Sequence, residues 1–415
     1  MSYLSLQEVV LDNSLCAGCG ACSLVCPDQI IEYDKDKIIP VFKESAETCK
    51  SCNACVDVCP GKETDSPKHE LKMFGRVRSE DERWMGIFQR VYGGRSTDPE
   101  TFDMSASGGS ATSLLHSAME YMKADVALVM GRDEEKPWRS APVLVRDPKK
   151  LKEHSQSTYQ LAPYLSRLRE VYEKDPDAKI VMSGIACIIQ AVRKLQSLDT
   201  EVGRWAKSQI VFVVEVGCSS NTLPCGTESL IKETLGIPIK IVTNVRYRDG
   251  DYPGQIAVTT KEGDKYGVPF WKAVRHFKDN KTFRCLSCGD WLSGLADVSV
   301  ADGDPNIFDA SLGINQELKH GRVFIRSRLG VEVVRYAETR EHMEVWDVNL
   351  DGMNLGLDRK RNRRATYEKK YKNISSSPVE GYHDDIQIID DARYLALPDE
   401  REVIKKQEAV SRNER

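Results

Sequence analysis

The apolar period changes several times along this chain, and each change marks an element. Ile30 to Phe42 (I-I-E-Y-D-K-D-K-I-I-P-V-F) is two short apolar runs around an Asp-Lys-Asp turn, which predicts a small hairpin. Strands are predicted at Phe88–Tyr92, Val126–Met130, Lys179–Ser183 and Gln209–Gly217, where apolar runs are short and bounded by polar or small residues. Helical periodicity falls between them: S-L-L-H-S-A-M-E-Y-M from Ser113, a short helix at Lys149–His154, a longer one at Tyr164–Glu173, and I-I-Q-A-V-R-K-L-Q from Ile188. Strands alternating with helices predict an α/β sheet with parallel pairs. Residues 240–269 carry Asp-Gly and Glu-Gly turns and read as hairpins, and Gly321–Ser327 reads as one more strand. Residues 61–80 are polar and rich in breakers, so they read as a linker. From about residue 350 the pattern is lost in a basic run, D-R-K-R-N-R-R-A-T-Y-E-K-K-Y-K at 358–372, followed by Ser-Ser-Ser-Pro.

The cysteines turn this outline into chemistry. Residues 16–27 (C-A-G-C-G-A-C-S-L-V-C-P) and 49–60 (C-K-S-C-N-A-C-V-D-V-C-P) repeat one C-x2-C-x2-C-x3-C-P pattern. Three thiolates on a tight loop suit three corners of an iron–sulfur cubane, and the fourth cysteine, before proline, serves the other cluster. Cys16, Cys19, Cys22 and Cys59 are therefore expected to hold one cluster, and Cys49, Cys52, Cys55 and Cys26 a second. Zinc knuckles, the competing reading, rarely repeat a four-cysteine run ending in Cys-Pro. The chain thus divides into a ferredoxin-like unit and linker (1–80), a larger mixed α/β domain (81–350) and a charged extension (351–415).

Composition narrows the function classes. A length of 415 residues calls for two or three domains, and 40% apolar with 29% charged residues describes a globular protein. A net charge of −4 gives no global field for nucleic acid or membrane. No uninterrupted apolar run is long enough to span a bilayer. Met1 to Asn13 lacks a basic region followed by an apolar run, so with 13 cysteines the expectation is metal or redox work in the cytoplasm. The basic run at 358–372 reads as a docking arm or solvated face, with RNA binding the weaker alternative. No two of the seven histidines are spaced as metal ligands, and no Ser/His/Asp arrangement supports hydrolysis.

Five cysteines remain. Cys187 and Cys218 each fall just past the carboxyl end of a predicted strand, where open α/β sheets bind ligands. With Cys285 and Cys288 of C-L-S-C-G-D they make four donors for a third cubane. Cys225, seven residues after Cys218, is the alternative ligand or the odd thiol. Arg246, Arg248, Lys272, Arg275 and Arg284 approach or flank the late pair. Ser105-Ala-Ser-Gly-Gly-Ser-Ala-Thr112 runs into a helix start, which reads either as an ordinary cap or as a cradle for a cofactor phosphate.

These residues resemble the family formed by the beta subunits of the deazaflavin-coenzyme (F-420)-reducing hydrogenases, with its dehydrogenase and reductase relatives. The resemblance rests on S-G-G-S-A-T-S-L-L at 107–115, Q-S-T-Y-Q at 156–160, G-I-A-C-I-I-Q-A-V-R-K-L at 184–195, V-G-C at 216–218, C-L-S-C-G-D at 285–290 and L-A-D-V-S-V at 295–300. It implies FAD at Ser107, Gly108, Gly109, Ser110 and Thr112, with Ser157, Thr158 and Tyr159 on a second flavin-contacting stretch, and a cluster nearby. It further implies electron transfer from ferredoxin or a partner redox subunit to a two-electron carrier such as coenzyme F-420. A small conjugated organic substrate is the alternative acceptor, and an oligomer or complex is the expected assembly. Two departures stand out: Gly-Ile-Ala-Cys for the family's Gly-Thr-Pro-Cys, and Ser-Thr-Tyr for its Ser-Lys-Tyr, which removes a cation at position 158.

Overall fold

The computed structural model describes residues 5–43, 49, 52–79, 82, 85–251, 254–302 and 319–348, together with Lys360, Arg364, Ala365, Tyr367 and Lys369. β1 (Ile31–Tyr33) and β2 (Pro40–Phe42) form the predicted antiparallel hairpin. The large sheet uses β3 (Arg90–Ser96), β4 (Val126–Arg132), β5 (Ser140–Val145), β6 (Ile180–Gly184) and β7 (Ile210–Val216). A three-stranded meander follows, β8 (Val242–Asp249), β9 (Gln255–Thr260) and β10 (Lys265–Pro269). β11 (Val298–Asp302), β12 (Gly321–Ile325) and β13 (Met343–Asp347) then return to the large sheet.

The order in the large sheet is β13-β3-β12-β11-β7-β6-β4-β5. β4, β6, β7 and β11 pair in parallel, and β12 lies antiparallel to both β11 and β3. β3, β4, β6, β7 and β11 therefore run the same way and end at one rim. The chain segments carrying Ser107–Thr112, Cys187 and Cys218 all leave from that rim.

Period-two alternation decides the layers. Ala127, Val129, Val181, Phe212 and Val214 face helices Ser110–Met122 and Arg328–Thr339, burying Leu114, Leu115, Met119, Val333 and Val334. Val126, Leu128, Ile180 and Met182 face helices Leu168–Lys174, Ala186–Leu195 and Glu201–Gln209. Each fully buried aliphatic side chain contributes about 1.5–3 kcal/mol, so a strand shifted by one residue would lose a whole face. The N-terminal unit shares this second core, because Leu6, Leu11, Leu24, Val25 and Val58 belong to the same cluster. Leu165 N–H donates to the Cys19 carbonyl at 2.8 Å, and Arg169 donates to the Cys26 carbonyl at 2.8 Å.

Three expectations change. The linker at 61–80 contains a nine-residue helix, Ser66–Phe74. Pro67 sits in its first turn and Gly75 closes it at φ 72°, so residues read as breakers are its terminators. It is docked through buried Glu70, which pairs with Arg78. Tyr164–Glu173 is a 3-10 turn (Tyr164–Arg167) leading into helix Leu168–Lys174. The strand read at Phe88–Tyr92 begins at Arg90, and Phe88 packs edge-on against Phe324 at 5.9 Å. The Arg275 side chain and most of the charged extension lie outside the described residues.

Candidate functional site

Cys16, Cys19, Cys22 and Cys59 line one small cavity with Leu6, Val10, Leu11 and Tyr33. Gly18 N–H points to Cys16 Sγ and Gly61 N–H to Cys59 Sγ, each at 3.3 Å, and Tyr33 Oη lies 3.1 Å from Cys22 Sγ. Burial pushes all four thiols up, and the thiols reinforce one another, with Cys19 raised to about 12. Such a set ionises when a metal centre supplies the compensating positive charge. Of the other four N-terminal cysteines, Cys26 and Cys55 are buried, Cys49 is half-buried and Cys52 exposed. Helix Ala21–Val25, which Cys26 follows, packs against helix Ala54–Asp57, which carries Cys55.

A second set of thiols gathers at the sheet rim. Cys187 opens helix Ala186–Leu195 after β6, and Cys218 lies two residues past β7. Cys285 and Cys288 sit on helix Phe283–Ser287 and its C-cap. Burial raises the Cys187 thiol, and Cys218, Cys285 and Cys288 are all close enough to raise it further, while Arg284 opposes them. Three tethers hold these segments together. Cys218 N–H donates to Trp291 O at 3.0 Å, Gln190 Nε2 donates to Asp290 Oδ2 at 2.9 Å, and Glu215 on β7 accepts from Ser293 N–H at 2.5 Å. Cys225 is exposed on helix Pro224–Ser229, with its Sγ donating to Asn280 Oδ1 at 3.3 Å.

Arg284 stands between the two thiol sets. It is 2% exposed, and Nη1 donates to Leu15 O at 3.2 Å. Burial disfavours its charge, but Cys187, Cys288 and Cys59 together outweigh burial, so its pKa moves up. It also opposes, without reversing, the rise of Cys16 and Cys19 across the gap. Its Nη2 has no hydrogen-bond partner among the described residues. A buried donor left among thiols suits an anionic cluster on either side. The basic run docks here too: Lys360 Nζ lies 3.7 Å from Cys288 Sγ, Arg364 Nη1 donates to Ser287 O at 2.6 Å, and buried Tyr367 packs edge-on against Phe283 at 6.0 Å. Sequence reasoning missed Arg284 as a link because nothing local ties it to Cys16 or Cys59.

The Ser-Gly-Gly loop follows the short helix Pro99–Met104 after β3 and opens helix Ser110–Met122, and among the described residues no side chain caps that end. Gly108 and Gly109 have φ of 86° and 80°. A Cβ at Gly108 would lie 2.9 Å from Lys319 O, and one at Gly109 2.8 Å from Thr101 Cγ2. The glycines are thus required by packing against protein on their Cβ side and by positive φ. Ser107 is half-buried, Ser110 Oγ donates inward to Gly94 O at 2.7 Å, and Thr112 Oγ1 donates to Ser155 Oγ at 2.9 Å. That last bond joins the loop to the 155–159 stretch. There Ser157 is half-buried, Thr158 Oγ1 accepts from Arg132 Nη1 at 3.1 Å, and Tyr159 packs among Tyr247, Phe270 and Phe277. Arg132 therefore places a guanidinium beside the position where a lysine is missing.

Cations gather at the same loop. Arg246 Nη2 donates to Asp103 O at 2.9 Å, and its buried Nε has no hydrogen-bond partner among the described residues. Lys319 Nζ donates to Ser105 O at 3.3 Å; burial and then the Arg246 guanidinium lower its pKa. Arg248 pairs with Asp302 at the end of β11, at 3.2 Å. Arg246 is itself paired with Asp249 at 2.6 Å, so its unused Nε and Lys319 are what remains to meet an anionic group such as a pyrophosphate.

The rim rests on a buried polar network. Glu215 also accepts from Ser293 Oγ at 2.6 Å and Ser299 Oγ at 2.7 Å, and Arg326 Nε donates to Ser299 Oγ at 2.6 Å. Glu215 and Ser299 are 0% exposed and Arg326 1%. Glu215→Ala leaves the Arg326 charge and two hydroxyls uncompensated, an expected loss of about 3–5 kcal/mol. Urea unfolding should show the midpoint falling at constant slope; a loss below about 1 kcal/mol would contradict the network's role.

Known proteins resemble this chain in sequence and fold. The family model for the C terminus of the coenzyme F420 hydrogenase/dehydrogenase beta subunit matches residues 177–350, and the model for its N-terminal part matches residues 91–169. A 4Fe-4S dicluster domain model matches residues 15–63. The coenzyme F420 hydrogenase subunit beta of Methanosarcina barkeri is 25% identical over 70% of this chain and 95% of its own length. The coenzyme F420-dependent sulfite reductase of Methanocaldococcus jannaschii is also 25% identical, over 88% of this chain and 53% of its own length. A chain of the solved F420-reducing [NiFe] hydrogenase complex from Methanosarcina barkeri shares the fold, with a TM-score of 0.56 at 24% identity, covering 74% of this chain and 100% of that one. Among the described residues no helix is long and apolar enough to cross a membrane.

Proposed function

Because the chain belongs to the family of coenzyme F420 hydrogenase/dehydrogenase beta subunits and is an iron–sulfur oxidoreductase, we propose that it converts single electrons into two-electron reductions through three [4Fe-4S] clusters and one FAD. In this reading Cys16, Cys19, Cys22 and Cys59 hold the first cluster, and Cys26, Cys49, Cys52 and Cys55 the second. Cys187, Cys218, Cys285 and Cys288 hold the third. The observation that carries the reading is Arg284, buried between the first and third thiol sets at a rim shared with the Ser-Gly-Gly loop.

When bound, clusters carry one electron at a time and flavin stores two and releases them as hydride. The residues of this chain do the rest. Arg284 and Lys360 hold positive charge beside the third thiol set. The first turn of helix Ser110–Met122, Arg246 and Lys319 would bind and orient the cofactor's phosphates. Arg132 supplies the cation that Thr158 lacks. A ferredoxin or partner redox subunit would deliver electrons at the N-terminal unit, in a cytoplasmic complex, with F420 as the two-electron acceptor.

Anaerobically prepared protein should release one FAD per chain on denaturation and reduce F420 when reduced ferredoxin is supplied. Cys19→Ser should abolish ferredoxin-driven turnover yet leave flavin reduction by dithionite intact. Absence of flavin would sink the proposal. Flavin reoxidised by a conjugated organic substrate but not by F420 would move the acceptor to that class.

A further inference from the structure

We propose that His116, Glu120 and His342 form a binding site for a divalent transition-metal ion such as zinc, separate from the cysteines. His116 and Glu120 are one turn apart on helix Ser110–Met122. His342 arrives from the turn between helix Arg328–Thr339 and β13. One ligand atom from each lies within 4.8 Å of the other two. The sequence offers no metal-spaced histidine pair because the second imidazole comes from the far end of the domain.

The hydrogen bonds fix which atoms are available. Ser117 Oγ donates to Ser113 O at 2.8 Å, so its only proton is spent. The 2.9 Å contact between Ser117 Oγ and His342 Nδ1 must then be donated by the imidazole. That leaves the His342 Nε2 lone pair facing Glu120 Oε2 at 3.8 Å, while His116 Nε2 lies 3.3 Å from Glu120 Oε1. A lone pair facing a carboxylate oxygen is repulsive, and a cation between them, a metal ion or the proton of an imidazolium, relieves it. Bonds of about 2.1 Å at tetrahedral angles put neighbouring donors about 3.4 Å apart, close to these separations.

The surroundings have the form of a metal site's outer shell. Tyr336 Oη donates to Glu120 Oε2 at 3.2 Å, and Ser117 fixes the His342 tautomer. The two rings stack at 4.4 Å and 23°, an arrangement two imidazolium ions would resist. The side chains are 20–31% exposed, which leaves solvent a fourth position. Two nitrogens and one carboxylate suit a borderline ion such as zinc. Bound there, it would tie the helix that starts at the Ser-Gly-Gly loop to the turn before β13.

The test uses the full chain with its clusters in place, loaded anaerobically with one equivalent of zinc, desalted, and assayed for zinc and iron. X-ray absorption at the zinc edge reads the ligands. We expect about one retained zinc, nitrogen and oxygen scatterers at about 2.0–2.1 Å, no sulfur shell near 2.3 Å, and unchanged iron. His116→Gln and Glu120→Gln should each lose the retained zinc, and Ser117→Ala should weaken binding about 10–100-fold. Zinc kept equally by both ligand variants, a sulfur shell, or no retained zinc would overturn the site. Unchanged iron and melting temperature in His116→Gln or in Glu120→Gln separates ligand loss from misfolding.

Discussion

Anaerobically prepared protein is expected to contain about twelve iron atoms per chain, falling to about eight in a Cys187→Ser/Cys288→Ser variant. The expectation follows from the proposed three sets of four thiols, the last drawn from the ends of β6 and β7 and from helix Phe283–Ser287 and its C-cap. Removing one thiol from each of two segments leaves a pair too few for a cubane. Cys225→Ser is the control. Its thiol is exposed and bonded to Asn280, so that variant should keep all its iron. About eight atoms in the parent chain, unchanged in the double variant, would remove the third cluster. A drop with Cys225→Ser would hand the fourth ligand to Cys225.

Arg284→Met should make two cluster potentials more negative at once, those of Cys16/Cys19/Cys22/Cys59 and Cys187/Cys218/Cys285/Cys288. The guanidinium is buried and faces thiols of both sets. A positive charge beside an anionic cluster favours the more negative, reduced state, so its loss lowers the potential. A unit charge at about 6 Å in an effective dielectric of about 20 is worth about 3 kcal/mol. That corresponds to a shift on the order of 100 mV for a one-electron couple. An EPR-monitored redox titration reads both clusters, and Arg284→Lys should shift them less. A shift confined to one cluster would remove the bridging role; a change in neither would place the residue outside the redox path.

The chain's local spacing made the eight N-terminal cysteines legible, because C-x2-C-x2-C places three donors on one short loop, but bringing Cys59 to Cys16, Cys19 and Cys22 took the packing of one repeat on the other. The alternating faces of β4 and β6 were legible too, since a period of two assigns each side chain to a layer. Pattern failed at Ser66–Phe74, where Pro67 and Gly75 end a short helix and so look like coil. The neighbours that make Gly108 and Gly109 necessary, Lys319 and Thr101, are brought by the fold and leave no trace in the local pattern.

What only the tertiary structure decided are the convergences. Cys187 meets Cys218 because β6 and β7 pair in parallel and deliver both to one rim. Cys285 and Cys288 reach them through Glu215 and Gln190. Arg284 comes to lie against the N-terminal thiols because Leu6, Leu11 and Leu24 bury themselves in the core beneath β4 and β6. His116 finds His342 only once two helices pack on the opposite face. Each of these contacts joins segments far apart in sequence, and burial of apolar surface, which has no local signature, is what brings them together.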